Sequence, residues 1–152
     1  MCKTRFGFLL CIMLLAGLAL PAGAASAQAG TVIRLAPQPA SVGEGQTAAV
    51  EVKIDNVRDL YGLEIRLSFD PAIVEVVDAD PNLAAVQVRP GDLLKPDFVV
   101  KNVADNAQGT VWFALTQINP STEVTGSGTA FTVTFKGKQR GATSALGITH
   151  AK

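Results

Sequence analysis

Two pairs of aspartates, Asp55 with Asp59 and Asp92 with Asp97, are the residues of this chain that could do acid–base chemistry. Glycoside hydrolysis needs two carboxylates held at a defined separation within a cleft. These four residues lie instead in turns between apolar segments, where aspartate is favoured because it hydrogen-bonds its own backbone. His150 is the only histidine, and no serine or cysteine in a nucleophile context accompanies it, so a catalytic triad is not indicated. The sequence therefore predicts a protein that is not an enzyme.

Residues 78–82 begin like a calcium-binding loop, with oxygen ligands at alternate positions. The pattern then fails, because Leu83 occupies the position of the required glycine and Arg89 that of the bidentate glutamate. A turn rich in residues that bond their own backbone is the better account. We therefore predict no metal site and no cofactor for this chain.

The segment 59–81 alternates apolar and polar residues with the period of a strand that has one buried face and one wet face. Its apolar positions are Leu63, Ile65, Leu67 and Phe69. Glu64 and Arg66 lie on the opposite, displayed face. Asp70-Pro71 ends the strand, since proline fixes φ and has no N–H for a ladder. A displayed charged face suits partner binding, and the alternative is a plain solvated face worth little to stability.

The other segments after residue 30 also alternate with a period of two and are separated by Gly, Pro, Asn and Asp turns. They predict further strands at 31–36, 47–54, 72–77, 85–89, 98–103, 109–117, 129–136 and 144–150. Many short strands with no convincing helix indicate an all-β sandwich or barrel. No period of about 20 to 50 residues repeats, so we expect one module.

Trp112 is the only tryptophan, and its alternation with Val111 and Phe113 places it on an outward face. An exposed tryptophan there would be a natural hot spot for binding. The alternative is that a neighbouring loop covers Trp112 as additional core.

The N-terminal residues 1–27 are predicted to be a cleaved signal peptide. Lys3 and Arg5 precede a continuous apolar run, and A-x-A-like sites allow cleavage after Ala27 or Ala29. A membrane span needs about 20 apolar residues, so an uncleaved anchor is the less favoured alternative.

The remaining residues, 28–152, are predicted to form a secreted or cell-surface domain. Both cysteines, Cys2 and Cys11, fall in the signal peptide, so neither a disulfide nor thiol chemistry is expected. Loss of the signal leaves 11 basic residues against 13 acidic ones, a net charge near −2. No basic cluster is dense enough to bind nucleic acid or an anionic membrane. The last predicted strand stops without a closing turn, which indicates a C-terminally incomplete domain, from a fragment or a truncated gene.

Several motifs follow one another in a fixed order. They are GEGQTAAVEVKIDNV at 43–57, Phe69-Asp70-Pro71, Ile73-Val74-Glu75-Val76, Pro90-Gly91-Asp92, Gly109-Thr110-Val111-Trp112-Phe113 and the strand motif at 128–136. This order resembles the cohesin domain of cellulosome-type and related bacterial assemblies. The resemblance spans about residues 32–148.

The resemblance implies a nine-stranded jelly-roll sandwich with a non-catalytic function. A cohesin docks a calcium-loaded helical dockerin on one sheet face and so holds exported enzymes on a scaffold or a cell surface, with the calcium on the partner. The residues carried over by position as partner-binding are Gly62, Glu64, Arg66, Trp112, Ala114, Thr116, Ser127 and Thr129. Family members often have an Asn and an Asp where this chain has Gly62 and Glu64, so the class of dockerin stays open.

A carbohydrate-binding module of the same fold is the alternative function. Flat polysaccharides are bound by exposed aromatic rings, and Tyr61 with Trp112 would make at most a short platform. Most phenylalanines fall on inward positions or in the signal peptide, so the shortage of aromatic residues favours protein binding. A third interpretation is a structural sandwich in a surface or adhesion protein that binds nothing.

Overall fold

The computed structural model describes residues 30–83 and 86–152, so the predicted signal peptide lies outside the described residues. Within the described part every regular element is a β-strand, and none of it is a helix long and apolar enough to cross a membrane. The strands of these residues are β1 (Val32–Ala36), β2 (Thr47–Leu60), β3 (Gly62–Ser68), β4 (Val74–Val76), β5 (Arg89–Pro90), β6 (Phe98–Asp105), β7 (Thr110–Thr116), β8 (Val124–Gly137) and β9 (Gly147–Ala151).

The strands form two antiparallel sheets, which confirms the predicted nine-stranded all-β sandwich. The first sheet has the order β1-β2-β8-β4, and β5 pairs with β8 on the same edge as β4. The second sheet has the order β6-β7-β3-β9. The last predicted strand forms as β9 and pairs with β3.

The core lies between the sheets and is built from the apolar positions that alternation predicts to point inward. Two aromatic pairs join the layers. Phe113 on β7 lies 4.7 Å from Phe131 on β8, and Phe69 meets Phe135 edge-on at 5.4 Å, both measured between ring centroids. All four phenylalanines are buried, as predicted. Full burial of one such side chain contributes about 1.5–3 kcal/mol.

Strands β2 and β8 run farther than alternation predicts. The pairing of β2 with β8 shifts register between Ile54 and Val57 and again between Val57 and Leu60. Asn56 in the first interval and Asp59 in the second adopt left-handed φ angles of 58° and 50°. Each shift adds a residue to one strand without ending it. Strict alternation therefore stops at residue 54, although β2 continues to Leu60.

Two predicted strands are shorter in the structure than in the sequence pattern. Of the predicted strand 72–77, only residues 74–76 pair, because residues 71–73 form a turn in which Asp70 Oδ1 accepts the Ala72 N–H. Of the predicted strand 85–89, the structure pairs Arg89 in the two-residue β5, and residue 85 lies outside the described residues.

Two asparagines tie the β6 side of the second sheet to the first sheet. Asn102 Oδ1 accepts the Val88 N–H at 2.8 Å, and its Nδ2 donates to the Val88 carbonyl at 2.7 Å. Asn106 makes the same two bonds with Val76 at 2.7 and 3.0 Å. We call these four bonds the asparagine clamps. They join β6, at the edge of its sheet, and the turn after it to the segments that contain Val88 and Val76.

The clamps should differ in their contribution to stability because Asn102 is buried and Asn106 is exposed. Asn102→Ala should lower the free energy of unfolding by about 3 kcal/mol, since it leaves the Val88 N–H and carbonyl without partners. Asn106→Ala deletes equivalent bonds where water can replace them, so we expect a loss of about 1 kcal/mol. Urea unfolding followed by circular dichroism measures both losses, and equal values would contradict this account.

Candidate binding face

The second sheet displays its outward side chains in rows that run across the strands. The register gives four such rows: Phe98 with Thr116 and Gly62; Lys101 with Ala114, Glu64 and Lys152; Val103 with Trp112, Arg66 and His150; and Asp105 with Thr110, Ser68 and Gly147. Residues paired in register point to the same side of a sheet. These side chains therefore share one surface, which we call the outer face.

Six of the eight residues predicted to bind a partner lie on the outer face: Gly62, Glu64, Arg66, Trp112, Ala114 and Thr116. Ser127 and Thr129 are on β8 in the other sheet, so the structure does not bring them together with the six. Ser127 Oγ accepts the Asn56 N–H, and the N–H of buried Thr129 donates to Asp92. Ser127 thus supports the bulge of β2, and Thr129 supports the loop that contains Asp92.

Trp112 points outward, as alternation predicts, and two cations cover part of its ring. The Arg66 guanidinium on β3 lies 4.0 Å from the ring centroid, and Lys101 Nζ on β6 lies 5.0 Å from it. Because β3 and β6 flank β7, the cations approach from opposite sides of the strand. Cation–π contacts contribute about 0.5 to 2 kcal/mol, depending on desolvation. Side chains of the outer face, and not a separate loop, supply this cover.

Of the two carboxylates on the outer face, Glu64 and Asp105, Glu64 is the one bonded to Arg66. Its Oε1 accepts bonds from Arg66 Nη2 at 2.7 Å and Nε at 3.0 Å, and His150 Nε2 lies 3.9 Å away. The Arg66 hydrogen bonds hold the pKa of Glu64 below its ordinary value of 4.5, opposed by desolvation and assisted by the charges of Arg66 and His150. The Trp112 indole N–H makes the smallest contribution to the lowered pKa of Glu64, and it makes no hydrogen bond of normal geometry to the carboxylate.

The centre of the outer face is low because its side chains are small. Ala114 is only 8% exposed even though it points outward. A Cβ on Gly62 would lie 3.1 Å from both the Leu115 carbonyl oxygen and Thr116 Oγ1, which is too close for a side chain without local adjustment. Phe98, 53% exposed, stands beside this floor at the β6 edge. The face thus offers a shallow floor bordered by two aromatic side chains.

The sequence pattern does not assign Phe98, Lys101 or His150 to this face. Phe98 and Lys101 cannot be assigned by alternation because a bulge at Val100 lets these two residues, three positions apart, point to the same side of the sheet. Strict alternation from Phe98 would turn Lys101 inward. A register shift in the β3–β9 pairing, next to Arg66, likewise prevents alternation from assigning His150 to the outer face. The signal that could have revealed the first bulge is the polar Asn102, which lies on the buried side of β6.

The aspartates considered for chemistry bond to the scaffold. Asp55 pairs with Arg34, and Asp97 accepts the Ser121 hydroxyl. In the turn at 78–82, aspartate side chains accept backbone N–H groups two residues ahead, as expected of a turn. Within the described ranges, no group of three or more His, Cys, Asp or Glu residues could hold a metal ion.

A model of the cohesin domain family matches residues 33–151. The chain belongs to the cohesin family. Among similar solved structures, the non-cellulosomal cohesin of the hyperthermophilic archaeon Archaeoglobus fulgidus is 22% identical, with a TM-score of 0.59 over 81% of this chain and 76% of that one. A search of the curated proteins finds no match.

Two similar structures come from Acetivibrio cellulolyticus. A type II cohesin domain from its cellulosome is 23% identical, with a TM-score of 0.58 over 78% of this chain and 72% of that one. A chain of a type II cohesin–X–dockerin complex is 20% identical, with a TM-score of 0.56 over 78% and 75%. At these identities, the likeness shows that the fold is shared.

The lowered pKa of Glu64 predicts a pH-dependent contribution to stability. A folded-state pKa below the ordinary 4.5 stabilises the fold above that pH, and the stabilisation is lost as the pH falls through the folded-state value. The effect is small, because both side chains are solvated. Since Trp112 is the only tryptophan and lies beside this pair, its fluorescence should titrate with a midpoint below 4.5. Glu64→Gln should abolish that transition, and a midpoint above 4.5 would contradict the assignment.

Proposed function

We propose that this cohesin is a non-catalytic, extracellular interaction module that docks a dockerin-bearing protein on its outer face. The family match over residues 33–151 is the observation that carries the proposal. The similar structures include a type II cohesin in complex with an X–dockerin. The calcium that a dockerin needs would belong to the partner.

The shape and composition of the outer face support its choice as the docking surface. Its floor of Gly62, Ala114 and Thr116 lets the surface of a helix approach the sheet closely. Tryptophan and arginine are the residues most often found at the energetic centre of protein interfaces, and Trp112 and Arg66 are adjacent here.

The predicted signal peptide supports export and thus a secreted or cell-surface location. An exported cohesin would hold dockerin-bearing proteins in a polysaccharide-degrading or cell-surface assembly. One similar structure is a non-cellulosomal cohesin, so the fold does not require a cellulosome.

Polysaccharide binding has less support. The ring of Trp112 carries Arg66 and Lys101, and Tyr61 is half-buried at the turn into β3. Among the described residues, the outer face therefore displays no row of free aromatic faces for sugar stacking.

Isothermal titration calorimetry of the purified protein against a panel of type I and type II dockerins tests the proposal. We expect binding to at least one calcium-loaded dockerin, and loss of that binding when EDTA removes calcium from the dockerin, because metal binding and dockerin folding are coupled. In a parallel pull-down, the protein should stay unbound by cellulose. Retention on cellulose without affinity for any dockerin would overturn the proposal.

Paired substitutions on the two sheets test the location of the site. Trp112→Ala should weaken dockerin binding by about 30-fold or more, since a hot-spot side chain contributes about 2 kcal/mol or more. Ser127→Ala, on the other sheet, is the matched control and should change affinity less than about twofold. Docking on the outer face is contradicted if Ser127→Ala weakens binding and Trp112→Ala does not.

A further inference from the structure

The outer face carries more hydrogen-bond donors than acceptors. Its four rows contain the cationic or N–H donors of Arg66, Lys101, Trp112, His150 and Lys152, against the carboxylates of Glu64 and Asp105. Glu64 already accepts two bonds from Arg66. Asp105 accepts the Ala107 and Gln108 N–H groups, and neither carboxylate is paired with Lys101.

Lys101 differs from the other half-buried lysines on strands. Lys53 pairs with Glu51 at 3.2 Å, and Lys136 pairs with Glu75 at 3.4 Å. Lys101 is also half-buried, yet no carboxylate of the described residues lies within 4.0 Å of its Nζ. Its charge is held over the ring of Trp112 instead. A partly desolvated ammonium without an anion is a position where a bound carboxylate would be strongly favoured.

The Trp112 indole N–H is a second unused donor on the same surface. Its nitrogen is buried and has no hydrogen-bond partner among the described residues. Nearly all buried polar groups in folded proteins are paired, so this exception calls for an explanation. The adjacent Glu64 carboxylate accepts both Arg66 bonds on Oε1 and makes no hydrogen bond of normal geometry with the indole.

We propose that Lys101, together with Arg66 and Trp112, forms a receptor site for a carboxylate of the docked protein. This inference rests on the proposed function and adds the chemistry of the partner: its contact surface presents an aspartate or glutamate here. The incoming carboxylate pairs with Lys101 and shares Arg66. The ring of Trp112, which both cations already contact, forms the surface on which the ion pair is held.

The same site discriminates among partners. A dockerin that presents a neutral or basic side chain at this point would bury Lys101 without an anion, which is costly in a dehydrated interface. Binding should weaken as the salt concentration rises, because ions screen the attraction between Lys101 and the partner's carboxylate before the two surfaces meet.

The test uses a dockerin that binds the wild-type protein in calorimetry. Lys101→Met removes the charge and keeps the aliphatic stem over Trp112, and Lys101→Gln is a second uncharged variant. Lys53→Met, on the other sheet, is the matched control. Both Lys101 variants should weaken binding at least about tenfold and flatten its salt dependence, whereas Lys53→Met should stay within about twofold. Circular dichroism establishes that each variant is folded.

A double-mutant cycle identifies the partner residue. Each Asp or Glu on the contacting helices of the dockerin is replaced by its amide. One of these dockerin replacements should weaken binding to the wild-type protein but leave the affinity for the Lys101→Met protein unchanged.

The outcomes separate this inference from the proposed function. Unchanged affinity and salt dependence in the Lys101 variants would overturn the carboxylate site and leave dockerin docking intact. A loss of affinity with no coupled acidic residue would also overturn it, because Lys101 would then act only by packing on Trp112. If no dockerin binds the wild-type protein, docking and the carboxylate site both fail.

Discussion

The packing of β7 and β3 against β8 determines which side chains the module displays. Phe113 and Phe69 bury their rings against phenylalanines of β8. Since neighbouring side chains on a strand point to opposite faces, this burial turns Trp112 and Glu64 outward. A slip of β7 by one residue would bury Trp112 and expose Phe113. The core and the outer face are therefore two sides of a single register, and neither can change alone.

Arg66 organises the charges that this register brings to the surface. It bonds the Glu64 carboxylate along its own strand and lies over the ring of Trp112 on the neighbouring strand. A side chain held by two contacts loses less freedom on binding than one that is free in solution. The outer face is in this sense pre-organised around one ring, with the Lys101 ammonium also held over it.

Alternation in the sequence was sufficient to predict the all-β sandwich, the inward phenylalanines and the outward Trp112, because a regular strand encodes its faces with a period of two. The family match confirmed the resemblance to cohesins. Bulges were not predictable in this way, since an inserted residue changes the register without changing the composition; Phe98 and Lys101 were missed for that reason. Ser127 and Thr129 were assigned to the binding face by their position in the family resemblance, and the strand pairing places them on β8 of the other sheet.

The bulge at Val100 also bears on self-association. β6 is an edge strand, and Phe98 and Val100 on it are 53% and 56% exposed. A regular edge of this composition would be a template for pairing with a second chain. Here the bulge breaks the even spacing of N–H and C=O groups along the edge. An incoming strand would find only a short run of matched groups, so copies at high local concentration resist joining their sheets.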